Sequence, residues 1–165
     1  MASAGTVVDA RDYRDNTPLH DAAAMGAVEV VGLLLAAGAD PAARNAFDDT
    51  PLHRIAAGGG LAPAQARLAI VDQLLDAGCP IDAVDSTGRT ALWYAAATGT
   101  GEPAAQELAT RLLVIERLLV RGGDPTIAAR GTQGRPVDAA NGLHQSRKYR
   151  RVWPEAVALL SSAAD

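Results

Sequence analysis

Three imidazoles, one thiol, two glycine-rich stretches and one run of cations are the groups in this 165-residue chain that could do chemistry. His20 and His53 each stand three residues after a threonine, in the matching tetrads Thr17-Pro18-Leu19-His20 and Thr50-Pro51-Leu52-His53. As metal ligands or acid–base groups they would need thiolate or carboxylate partners at ligand spacing. A histidine repeated at one place in one motif is better explained by a repeated structural role, and Trp93 takes that place in Thr90-Ala91-Leu92-Trp93. His144 lies in a polar stretch with no Cys or carboxylate at metal-ligand spacing, so no metal site is expected. Cys79 follows Gly78, and nothing near it supplies the base that a nucleophilic thiol needs. Gly58-Gly59-Gly60 and Gly99-Thr100-Gly101 lack the lysine-containing ending of a phosphate loop and follow no expected strand. No catalytic residue and no cofactor are expected.

The cationic run is Arg147-Lys148-Tyr149-Arg150-Arg151. It offers a nucleic acid four charges and one stackable ring, but the chain's net charge is −4, and a phosphate-binding domain usually carries a wider basic surface. A solvated loop is the simpler reading, and nucleic acid is not the expected partner. Charge is unevenly spread: residues 1–125 hold 9 Arg and 16 acidic residues, while residues 126–165 hold 6 basic and 3 acidic ones. One cysteine excludes an intrachain disulfide scaffold. No apolar run approaches the length of a membrane span, and Met1 to Tyr13 does not read as a secretory signal. A cytoplasmic protein is expected. With 36 Ala, and 14 Arg against one Lys, the composition fits a GC-rich genome and hence a bacterial source.

The elements that must position these residues repeat. The three tetrads are followed by small residues (Ala22-Ala23, Ile55-Ala56, Ala95-Ala96), and a fainter fourth copy reads Arg135-Pro136-Val137-Asp138. Later in each unit, Val30-Val31, Ile70-Val71 and Val114-Ile115 form one column, and Leu34-Leu35, Leu74-Leu75 and Leu118-Leu119 form another. That spacing lays one broad apolar stripe along a helix. Each helix then meets a glycine, at Gly38, Gly78 and Gly122, suited to a left-handed cap.

The TPLH tetrads, the helix exits Gly38-Ala39-Asp40 and Gly123-Asp124, and the segments Val8-Asp9-Ala10-Arg11-Asp12 and Ile81-Asp82-Ala83-Val84-Asp85 resemble the ankyrin-repeat family. The resemblance covers roughly residues 8–160. It implies an all-α solenoid of about four helix-turn-helix units with β-turn fingers, near 8–40, 41–80, 81–124 and 125–162, in a single domain. It also implies that the two histidines take part in hydrogen bonding between neighbouring turns.

The spacing departs from an even repeat. Thr17 to Thr50 is 33 residues, Thr50 to Thr90 is 40, and Thr90 to Arg135 is 45. The additions fall between the two helices of units two and three, and Pro63 and Pro103 suit a first helical turn. Second helices lengthened to about 63–77 and 103–121 are expected. In the last unit Glu155 is expected where the others carry Val30, Ile70 and Val114, as befits a terminal repeat with one wet face.

The resemblance implies a partner protein held by the finger tips and the concave face. Carried onto this chain, the contact residues are Arg11, Tyr13, Arg14, Asn16, Met25, Arg44, Phe47, Asp49, Val84, Thr87, Arg89 and Thr98. Aromatics and arginine dominate interface hot spots, which singles out Tyr13 and Phe47 at tips and a basic strip of Arg11, Arg14, Arg44 and Arg89. One bacterial use of such a module is to inhibit or neutralise a toxin or effector enzyme. Two other readings stay open: an enzyme with reactive His53 or Cys79 and a pocket near the inserted helices, and a nucleic-acid binder using Arg147 to Arg151. A monomer is expected, with the inserted helices the one place marked for possible self-association.

Overall fold

The computed structural model describes residues 8–58, 62–97, 105–131, 134–140 and 154–164. These form eight helices: α1 (Pro18–Met25), α2 (Val28–Ala36), α3 (Pro51–Ala56), α4 (Ala64–Asp76), α5 (Ala91–Ala96), α6 (Ala105–Val120), α7 (Pro136–Ala140) and α8 (Pro154–Ser162). Odd-numbered helices pack on one another in an inner row, even-numbered ones in an outer row, and each pair forms one unit of the solenoid. Among the described residues no strand forms, and the only bridge joins Ala129 and Gly134.

The tetrads build the inner helices. Thr17, Thr50 and Thr90 hold extended backbone at the N-cap, and proline opens α1 and α3, where a missing amide hydrogen is harmless. His20 accepts the Thr17 N–H at Nδ1 (3.1 Å), and His53 accepts that of Thr50 (3.0 Å). Each ring then donates from Nε2 to a carbonyl of the next finger, Asp49 (3.0 Å) or Arg89 (3.1 Å). A ring that accepts at one nitrogen and donates at the other is neutral. Burial agrees, pulling both imidazoles below their ordinary pKa. Helices α2, α4 and α6 leave through a glycine at φ 89° (Gly38), 95° (Gly78) and 91° (Gly122), where a Cβ would be strained.

Leu19, Leu52, Leu92, Ile70, Val71, Leu74, Val114, Ile115 and Leu118 are buried in one continuous core. Alanines between them (Ala22, Ala23, Ala56, Ala95, Ala96) let the helices approach closely. The last unit differs from expectation by one residue. Ala156 and Leu160 are fully buried while Glu155 is exposed, so Ala156 stands with Ile70 and Val114 and Leu160 with Leu74 and Leu118.

The outer helices grow over the first three units: α2 has 9 residues, α4 has 13 and α6 has 16. The added turns hold an ionic cluster. Arg67 and Arg111 occupy the repeat position of Ala27, and Glu107 lies one turn before Arg111 in the inserted part of α6. Glu107 accepts Arg67 through both carboxylate oxygens (3.0 and 2.7 Å) and takes the Arg111 Nε at 3.1 Å. Arg111 also donates to the carbonyls of Ala57 and Ala97, where α3 and α5 end. Helix C-termini attract cations, so one guanidinium ties two inner helices to an outer one. Gly58 makes room for this: a Cβ there would lie 2.5 Å from Glu107 Oε1. Further along, Asp72 pairs with Arg117 and Arg121, and Asp76 with Arg121.

Candidate functional site

The fingers are rigid mounts. At the root of each, Asp12, Asn45 or Asp85 accepts the backbone N–H groups two and four residues on, at 2.7–3.0 Å, which closes the turn. Neighbouring fingers are joined through their backbones: Ala46 N–H donates to Arg14 O (2.9 Å), Ser86 N–H to Phe47 O (3.0 Å) and Arg130 N–H to Thr87 O (2.8 Å). Arginines reinforce the row. Arg11 donates from Nη1 to Asp15 O in its own finger and to Arg44 O in the next. Arg44 repeats the pattern with Asp48 O (2.8 Å) and Val84 O (2.6 Å).

On these mounts Tyr13 is 86% exposed and Phe47 56% exposed. The Arg14 guanidinium sits 5.2 Å above the Tyr13 ring. Arg11, Arg14 and Arg44 are exposed; Val84, Thr87 and Arg89 are half-buried. Asn16 and Asp49 are buried at the finger roots, where Asn16 Oδ1 accepts the Asn45 amide at 3.0 Å. Met25 lies apart from the tips, at the end of α1 on the outer face of the first unit. Thr98, His144 and the run Arg147 to Arg151 lie outside the described residues.

Toward the concave side, Arg89 stacks on Trp93 (4.5 Å) and Tyr94 (5.7 Å). Trp93 is buried in the core, and half-buried Tyr94 donates its hydroxyl to Asp85 Oδ2 at 2.7 Å. Burial and that bond push the Tyr94 pKa up to about 12. Burial alone would raise Asp85, but the donors from Arg89, Thr87 and Tyr94 hold it below the usual carboxylate range. Asp49 goes the other way, raised by burial and then by Asp85, with its Oδ1 buried and unbonded. Asp85 is absent from the contact residues expected from the sequence. Its signal was available: it repeats the root position of Asp12 and Asn45.

Among the described residues, the groups that could do covalent chemistry are engaged in structure. Cys79 is buried, 3.8 Å from Thr50 Oγ1, and burial raises its thiol pKa, the reverse of what a nucleophile needs. In the groove between α4 and α6, Asp72 and Asp76 are already paired with arginines. Among the described residues, no group of three metal-binding side chains converges and no helix is long and apolar enough to cross a membrane.

A family model of ankyrin repeats matches residues 19–127 in three copies. The chain belongs to the ankyrin-repeat family. Ankyrin repeats generally mediate protein–protein interaction, and the family is typically non-catalytic. No curated protein matches the chain.

Proposed function

We propose that this ankyrin-repeat protein binds another protein without catalysis, through its finger tips and concave face. The observation that carries the reading is the pair of exposed rings, Tyr13 and Phe47, on fingers locked to one another by backbone hydrogen bonds. Large rings held rigidly lose little entropy on binding, which is the property of a hot spot. The exposed Arg11, Arg14 and Arg44 around them favour a partner surface bearing carboxylates. Occluding the active site of a toxin or effector enzyme is the specific use we propose for such a surface in a bacterial cytoplasm. Affinity purification with mass spectrometry supplies the partner, and titration calorimetry its affinity. Tyr13→Ala with Phe47→Ala lowers that affinity by about 100-fold or more while helical circular dichroism stays unchanged. Equal affinity in the double variant overturns the assigned surface.

A further inference from the structure

The two ends of the solenoid are finished differently. In the outer helices, Leu33, Gln73 and Arg117 share one repeat position. Gln73 touches Gly32, and Arg117 pairs with Asp72, so this position reaches back to the preceding unit. In the first unit it is Leu33, 70% exposed. Val30 is 46% exposed, whereas its counterparts Ile70 and Val114 are at 0% and 1%. Ala10 and Pro18 are likewise exposed where Ala43 and Pro51 are buried. With Met25, 75% exposed, Ala10, Pro18 and Val30 border an open depression of about 550 Å³. This is an exposed, largely apolar stacking face. At the other end, the positions of Gly32 and Leu35, counted in the register that buries Ala156 and Leu160, are Ala158 and Ser161, both small and exposed.

We propose that this first-unit face is the interface of a two-fold dimer, its occupant a second copy of the same chain. Among the described residues, large apolar side chains are exposed at one end and small ones at the other, a difference that makes the assembly self-limiting. Head-to-tail stacking would lay Leu33 and Met25 against Ala158 and Ser161 and grow without closing, whereas head-to-head stacking matches apolar with apolar and stops at two. Charge suits the closed pair. Arg11 stands at the finger edge of the face, and exposed Asp21 and Glu29 stand on α1 and α2. A two-fold axis through the apolar centre brings the cation of one copy toward carboxylates of the other. The face lies at the end of the row of fingers, so Tyr13 and Phe47 of both copies stay available to partners.

Sedimentation equilibrium of the full chain, from micromolar to millimolar concentration, tests the proposal. A reversible dimer is expected. Met25→Asp with Leu33→Asp weakens it by about 100-fold or more, while circular dichroism is unchanged because both side chains are on the surface. Val120→Asp, which charges an equally exposed apolar side chain on the opposite stretch of the outer row, leaves the dimer intact. Leu33→Cys in a Cys79→Ala background is joined to itself by a short bismaleimide, as head-to-head packing requires. A monomer across the whole concentration range overturns the proposal. So does a dimer that survives Met25→Asp with Leu33→Asp.

Discussion

The finger edge and the inserted edge of this solenoid both rely on arginine, in opposite ways. At the fingers, Arg11 and Arg44 are exposed and donate to backbone carbonyls of their own and the next finger. At the inserted edge, Arg67 is 2% exposed and, with Arg111, shares a single carboxylate from Glu107. A lost finger bond is replaced by water. A partner lost inside the cluster is replaced less easily, because the Arg67 side chain is only 2% exposed. The same side chain thus gives one edge that tolerates change, where we propose recognition, and one edge that does not, where the units are coupled.

Removing Glu107 gives the largest expected effect. Glu107→Gln removes the carboxylate charge that the buried Arg67 and Arg111 share and costs about 3 kcal/mol of stability. In a chain of this size that lowers the melting temperature by about 6–12 °C, measurable by calorimetry. A loss below about 0.5 kcal/mol, the usual range for a surface substitution, would make the inserted edge no different from the fingers and break the comparison.

Much of the fold was legible because stacking repeats the same burial. Leu19, Leu52 and Leu92 are apolar for one shared reason, and the glycines that end α2, α4 and α6 mark left-handed caps. The lengthened helices were also readable, since Ala64, Leu68, Val71 and Leu75 keep one phase through the insertion. The ionic cluster was not. Arg67 and Glu107 are forty residues apart, and no spacing rule within one helix pairs them across two. The same limit applied to the finger surface: sequence placed Arg44 at a tip, but its bond to Val84 O depends on how far the next finger advances. The register of α8 failed for a smaller reason. Glu155-Ala156 and Leu159-Leu160 fit the columns about equally well in two alignments, and only burial selects one.

The histidines sharpen the comparison from the finger side, because they hold finger roots yet are buried like the cluster. Burial lowers both folded-state pKa values below the ordinary 6.5. The unfolded chain therefore takes up protons near pH 6.5 while the folded chain does not. Stability is fully present above that pH and declines as pH falls below it, until the folded pKa values are reached. The slope approaches about 1.4 kcal/mol per pH unit for each histidine. Urea unfolding at pH 7 and pH 5.5 reads it directly, and His53→Gln reduces the slope by up to half. Equal stability at the two pH values would mean the rings are not held neutral.

Arg44→Met gives the smallest effect and tests the tolerant edge. Its Nη1 bonds join two fingers, but both acceptor carbonyls lie at the surface and rehydrate when the guanidinium is gone. Methionine keeps most of the aliphatic stem against the turn, so the expected loss is about 0.5–1 kcal/mol. The position of Phe47 is secured separately by the Ser86 N–H donating to its carbonyl, so the ring stays in place. Binding should therefore lose only what the Arg44 charge itself contributed, seen as a lower association rate with a weaker salt dependence. Hydrogen exchange at the Phe47 finger distinguishes the cases. Protection close to that of the parent chain is expected. Exchange rising together along the Asn45 to Asp49 segment would show that the arginine row, rather than the backbone ladder, holds the fingers rigid.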